Sequence, residues 1–270
     1  MKIVIGYDGS SCADSALEEL RRAGLPQEAE TLVISVAELP IPPPPPAGYG
    51  ILSGYSVGIS ALVDKELTSR VVEDAKALAF QAGRLVQASF PDWEVRSDAL
   101  LGSPAREIIE KAEEWSADLI VVGSHGRSAL DRFILGSVSQ RVVTDAHCSV
   151  RVARNSRADK EAVRIMLGLD GSLHSGAAVR AVAARKWPEG SEVRLVTSLD
   201  PLHMYGTDPA DKYTGVLSIH KSAEMFLCDA GLEVSSLVEE EDATRLLVRE
   251  SEQWGADSIF VGARGLGRLG

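Results

Sequence analysis

Gly123-Ser124-His125-Gly126 follow directly on the apolar run Leu119–Val122, and nine residues separate Gly126 from Gly136-Ser137-Val138. The run is long enough for one buried strand and too short for a helix, whereas a helical pattern begins at Gly136. Glycine lets another group come close to the backbone. Two glycines where a strand stops, and a third where a helix starts, therefore describe a cradle of backbone N–H groups. Such a cradle favours an anion, phosphate above all. It is not the P-loop, because no Lys-Ser/Thr pair follows a Walker glycine. Ordinary turn chemistry also places glycine pairs at strand–helix junctions; the complete spacing favours phosphate. Valine at Gly123 or Gly126 is expected to obstruct the approach to the backbone.

Other side chains could join such a site. Asp8, in Asp8-Gly9-Ser10 after a first short strand, either serves the ligand or only shapes the turn before the next helix. Arg127 and Arg132 suit a phosphate or the nearby Asp131 equally. His125 reads as an exposed turn residue rather than a base, since Arg264 replaces it in a second copy of the pattern. The acid run Glu239–Asp242 reads as a solvated turn and helix start. Trp115 and Trp254, at matching places, read as core packing, as do Cys12 and Cys148. The five histidines show no metal-ligand spacing.

These residues need strands that end along one edge. Residues 3–17, IVIGYDGSSCADSAL, return at 165–179 as IMLGLDGSLHSGAAV, and WSADLIVVG from Trp115 returns as WGADSIFVG from Trp254. Matches at both ends of each half, in the same order, mark an internal duplication. The hydrophilic run Arg154–Ala162 is its natural join, giving expected domains of residues 1–155 and 163–270. In the first copy, strands are expected at 3–6, 31–37, 93–99, 119–122 and 149–153. Helices should start after Ser10 or Ser11, run from 62 to 88 with Leu67, Val71, Leu78, Ala82 and Leu85 inward, open at Ser103-Pro104, and span 136–145. Between the second strand and the second helix lies Pro40–Gly58, a long proline-rich loop that cannot enter a sheet. The second copy repeats the plan with strands at 164–169, 193–199, 232–238 and 257–262. Its helices are expected from about 170 to 184, at 215–230 and at 242–253. Nine residues on from Gly265 would be position 275, so its last helix and fifth strand are expected to be missing. Alternating apolar strands and amphipathic helices make each copy a doubly wound α/β domain around an open, five-stranded parallel sheet, the second incomplete.

Composition narrows the function. A chain of 270 residues with net charge -11 repels nucleic-acid phosphates, so any phosphate must be held by a local site. No stretch approaches the roughly 20 apolar residues of a membrane span, and no signal segment opens the chain. Three scattered cysteines without C-x-x-C spacing point to reduced thiols and the cytoplasm.

With Asp8-Gly9-Ser10, Val36 at the end of the second strand, and Gly123-x2-Gly126-x9-Gly136-Ser137, the chain resembles the universal stress protein family in its tandem, ATP-binding form. The similarity covers nearly the whole chain, twice. It implies paired domains, a homodimer, and adenine nucleotide as ligand: ATP, with magnesium at Asp8. Carried over by position, Asp8 lies near the ribose and phosphates and Val36 on the adenine. Gly123, Ser124, Gly126 and Arg127 run along the ribose and phosphates, and Gly136, Ser137 and Val138 close over them. Gly6 and Val122 complete the set at the strand ends, and Pro40–Gly58 is expected to cover the nucleotide. In the second copy Asp170, Gly262 and Gly265 correspond, but Glu241-Asp242-Ala243 replaces Gly102-Ser103-Pro104, and the acids there oppose a triphosphate. The implied role is regulatory, with slow ATP hydrolysis at most. Adenylating and ATP-pyrophosphatase-type enzymes share the architecture but carry Ser-Gly-Gly-x-Asp-Ser where this chain has Tyr7–Ser11 without a double glycine. A structural pairing protein with an empty pocket is the third reading.

Overall fold

The computed structural model describes residues 1–39, 65–125, 135–153, 162–199 and 209–263. The loop Pro40–Gly58, residues Gly126, Arg127, Arg132 and Gly265, and most of the expected join lie outside them. The chain divides into two compact units, the first built mainly on Pro26–Asn155 with Met1–Arg21, the second on Ser156–Gly270.

The first unit carries β1 (Lys2–Gly6), α1 (Ser11–Glu19), β2 (Glu30–Ala37), α2 (Lys65–Ser89), β3 (Glu94–Leu101), α3 (Pro104–Glu114), β4 (Leu119–Gly123), α4 (Ser137–Asp145) and β5 (Ser149–Ala153). All pairings are parallel and the strand order is β3-β2-β1-β4-β5. The order reverses beside β1, so the crevice between β1 and β4 opens at the carboxyl ends of the strands, the usual ligand edge of such sheets. Strand side chains alternate between faces. Val4, Leu32, Ile34, Ile120 and Val122 meet Ala105, Ile108, Ile109 and Ala112 of α3 and Val142 of α4. The opposite face receives α1 and α2.

The helix α2 turns a different face inward from the one its leucines suggest. Its buried residues are Ala75, Ala79, Ala82, Gly83 and Val86, while Leu67 and Leu85 are 40% and 47% exposed. Close approach explains this: a Cβ on Gly83 would stand 2.3 Å from Ser97 Oγ of β3. Only small residues let the helix sit that low, and the leucines flank the contact.

The second unit carries β6 (Arg164–Gly168), α5 (Leu173–Ala183), β7 (Glu192–Ser198), α6 (Pro209–Asp229), β8 (Glu233–Glu239), α7 (Ala243–Trp254) and β9 (Ser258–Phe260). Its sheet has four parallel strands in the order β8-β7-β6-β9. One face packs Ile165, Leu167, Val193 and Leu195 against α5 and α6. The other is thinner, with Met166, Val196 and Leu246 at its centre. In the first unit β5 pairs with the edge of β4 and α4 packs beside α3; among the described residues nothing equivalent flanks β9, and Ile259 and Val261 are exposed. Trp115 and Trp254 are partly buried at the ends of α3 and α7, each with a cation over its ring: Lys2 on the first, Arg164 and Arg194 on the second.

Candidate functional site

The end of β1 makes a tight turn before α1. Asp8 Oδ1 accepts from Ser10 N at 3.0 Å, and Gly9 takes a left-handed φ of +75° that favours glycine. Ser10 then caps α1, its Oγ accepting from Ala13 N and donating to His125 O. The second unit repeats the device with Asp170, Gly171 and Ser172. Asp8 therefore shapes its own turn, which places its carboxylate at the ligand edge.

The glycine that closes β4 has an unexpected neighbour. A Cβ on Gly123 would stand 2.8 Å from the Cys12 carbonyl carbon and 2.9 Å from Ala13 N, both backbone atoms of α1. Gly123 admits the helix rather than a ligand. Gly262 plays the same part against His174 and Ser175 of α5. Gly6 likewise faces Ile108 and Val122 in the core, and Val122 is buried. Val36 and Val138 are partly buried against the α3 side of the core, so they can offer a ligand mainly their backbone.

Ser124 spends all its polar atoms internally. Its N–H donates to Ala153 O, extending the β4–β5 ladder, and its carbonyl accepts from both Gly136 N and Ser139 Oγ at 2.8 Å. Its hydroxyl, on a residue only 1% exposed, lies 3.1 Å from His125 Nδ1 and 3.7 Å from Cys12 Sγ. His125 thus has the partner that its sequence neighbourhood did not suggest. The Ser124 hydroxyl donates to Cys12 Sγ, and His125 Nε2 is buried with no hydrogen-bond partner among the described residues.

Gly136 brings the two walls of the cradle together. A Cβ there would meet His125 Cα at 3.3 Å and Ser124 O at 3.4 Å. It is the N-cap of α4, and no side chain caps that helix. Ser10 caps α1, whereas α3 also lacks a side-chain cap but begins with a proline and carries Glu107 in its first turn. The first turn of α4 has no acid, and Ser137 is exposed. A helix start with uncapped amides and no nearby carboxylate on its own turn is a place for an anion. Among the described residues no cluster of three side chains could hold a metal by itself, and no helix is long and apolar enough to cross a membrane.

The second unit departs from this at the same edge. His220 of α6 is 3% exposed, and its Nε2 lies 2.7 Å from Thr197 Oγ1, whose own hydrogen goes to Leu169 O. Nε2 must therefore be the donor, leaving Nδ1 buried without a partner among the described residues. Burial pushes the imidazole below its ordinary value, with Glu224 opposing the shift in part. The acid run is partly neutralised: Arg249 pairs with Glu239 and Glu241, and Asp242 caps α7 through Arg245 N. Sequence reasoning passed over Ser139, the Ser124–His125 pair and His220. The pair stood inside the motif and Ser139 just beyond it, but nothing in their spacing tells a hydroxyl that faces a ligand from one that faces the protein.

The family description "Universal stress protein family" matches residues 1–154 and again residues 162–270. A universal stress protein of Methanocaldococcus jannaschii is 33% identical over 159 residues, spanning 58% of this chain and 83% of its own length. One from Mycobacterium tuberculosis is 26% identical over 282 residues, spanning 99% of this chain and 88% of its own. The crystal structure of a universal stress protein from Archaeoglobus fulgidus has the same fold, with a TM-score of 0.66 at 20% identity, over 99% of this chain and 89% of that one. Matched in both halves, the chain belongs to the universal stress protein family.

Proposed function

We propose that the first domain, residues 1–155, binds ATP at the carboxyl edge of its sheet and that the protein acts as a nucleotide-dependent regulator. The carrying observation is the start of α4: amides with no side-chain cap, no acid in the first turn, and an exposed Ser137 hydroxyl, held within backbone contact of the end of β4. The phosphates lie on the Ser137 and Val138 amides. The ribose lies between Asp8 and the Gly123–His125 turn, and the adenine on Val36. Magnesium fits Asp8 as a single carboxylate completed by phosphate oxygens and water, the usual arrangement for that ion.

Micromolar binding needs about 8 kcal/mol. A few charge-assisted hydrogen bonds at roughly 1.5–3 kcal/mol each, with adenine burial, supply that. Hydrolysis is slow at most in this reading. The Ser124–His125 pair has the form of a nucleophile and base, but Ser124 is sealed beneath the cradle. The second domain, residues 163–270, serves as a pairing partner rather than a second site. A homodimer and a cytoplasmic setting, suited to three free thiols, complete the proposal.

Calorimetric titration of the purified protein with ATP, with and without magnesium, tests the reading, together with heat release and chromatography of any co-purified nucleotide. Micromolar ATP binding that weakens on removing magnesium supports it. No binding of any adenine nucleotide, and none released, rejects it in favour of a structural pairing protein.

A further inference from the structure

We propose that Ser139 is a positioning residue of the phosphate cradle, its buried hydroxyl clasping the first turn of α4 to the end of β4. The proposal rests on the ATP-binding reading for its consequence, but not for its geometry. Ser139 is 2% exposed. Its Oγ donates to Ser124 O at 2.8 Å and also lies 3.2 Å from Gly136 O.

The Ser124 carbonyl is a fixed point. Its own N–H is tied to β5, and its side chain is lodged between His125 and Cys12. Two donors from the helix start converge on that carbonyl, Gly136 N from the cap and Ser139 Oγ from the third helical residue. One tie would leave the first turn free to pivot about Gly136, whose backbone resists rotation least. The second tie removes the pivot. Ser137 and Val138 lie between the two ties, so their amides are held at one distance from the β4 turn. A serine in a helix commonly bonds the carbonyl of its own preceding turn. Here the better-placed bond reaches a different element, fifteen residues back along the chain. Preorganised donors spend no ordering cost when the anion arrives.

Two variants separate this from a merely structural role. Ser139→Ala removes the hydroxyl and leaves a small void; Ser139→Cys keeps the volume and replaces a strong donor with a weak one. Both are expected to weaken ATP binding about tenfold while leaving adenosine affinity within about twofold, because only the phosphate subsite loosens. In the ligand-free protein, the Gly136 and Gln140 amides, bonded to Ser124 O and Gly136 O, should exchange hydrogen at least about fivefold faster in both variants. Equal losses for ATP and adenosine, or a Ser139→Cys protein matching the wild type in affinity and exchange, would overturn the proposal. If the wild-type protein binds no ATP, the functional reading falls separately, and amide exchange alone decides: unchanged rates at Gly136 and Gln140 would reject the clasp.

Discussion

Gly123→Ala is the substitution on which packing and ligand accounts of the cradle disagree most sharply. Were Gly123 there to admit a phosphate, a methyl would weaken binding and leave folding alone. Instead its Cβ would lie 2.8 Å from the carbonyl carbon of Cys12 and 2.9 Å from Ala13 N and Cys12 O, all backbone of α1. Backbone cannot swing aside as a side-chain tip can. To reach ordinary contact, α1 must lift off β4 by roughly half an ångström, and overpacking of this kind costs about 1–3 kcal/mol. In a domain of this size that lowers the melting temperature by about 2–4 °C per kcal/mol, so by roughly 2–12 °C. Gly136→Ala supplies the contrast. Its Cβ would meet its neighbours at 3.3 and 3.4 Å, and its φ of -62° suits any residue. Its stability should fall by less than about 1 kcal/mol, while a methyl between the cradle walls weakens ATP binding at least about fivefold. Thermal scans paired with titrations at 25 °C read both quantities. A Gly123→Ala protein that melts with the wild type yet no longer binds ATP would refute the packing argument.

Three further predictions concern groups that the ligand does not touch. His220 is held neutral by burial, so its folded pKa lies below the unfolded value near 6.5. The stability this residue contributes is present above that pH and is lost as pH falls toward the folded value, because only the unfolded chain takes the proton. Between pH 7 and 5 the second unit should lose stability faster in the wild type than in His220→Ala, by at most about 1.4 kcal/mol per pH unit; parallel curves would contradict this. Arg151 and Glu19 form a nearly buried pair at 3.4 Å, with burial pulling the Arg151 pKa down and Glu19 opposing it. Glu19→Ala should cost about 3 kcal/mol, and Glu19→Ala with Arg151→Leu should recover much of it, since the harm lies in the stranded charge. Denaturant unfolding of the single and double variants checks this. A thiol reagent should label exposed Cys228 first and Cys148 slowly, because burial pushes the Cys148 thiol up; mass spectrometry of timed digests gives the order.

The alternation of strands and helices and the ligand edge were legible in the sequence because short apolar runs can be satisfied only in a sheet covered on both faces, and Leu119–Val122 and Ile3–Ile5 are such runs. The inward face of α2 was not. Hydrophobicity ranks Leu67 and Leu85 above Ala75 and Ala79, but the sheet lies so close that size outweighs apolarity, and sequence carries no record of that distance. Ser139 and Ser124 failed to announce themselves for a related reason: a hydroxyl has the same pattern value whether it meets water, ligand or a carbonyl. His220 stands in a stripe with Ala223 and Leu227 that ought to be apolar. Its irregularity is visible in the sequence, and its meaning comes only from Thr197 and Leu169 across the interface.

The duplication decides which cradle features can carry a functional assignment. Asp8-Gly9-Ser10 and Asp170-Gly171-Ser172 form the same bonds to within about 0.1 Å, and Gly123 and Gly262 admit α1 and α5 in the same way. Features identical in both units serve the fold first, whatever they also do for a ligand. They therefore cannot by themselves tell a binding unit from its partner. The start of α4 carries the assignment instead, through its uncapped amides, acid-free first turn and exposed Ser137. If ATP binding is confined to the first unit, a double variant Gly136→Val with Ser137→Ala should abolish it. Asp170→Asn, which alters a turn the two units share, should leave affinity within about twofold of the wild type. Titration of both proteins settles the allocation. Loss of binding in Asp170→Asn, with Gly136→Val/Ser137→Ala unaffected, would move the site to the second unit and the α4 argument would fall with it.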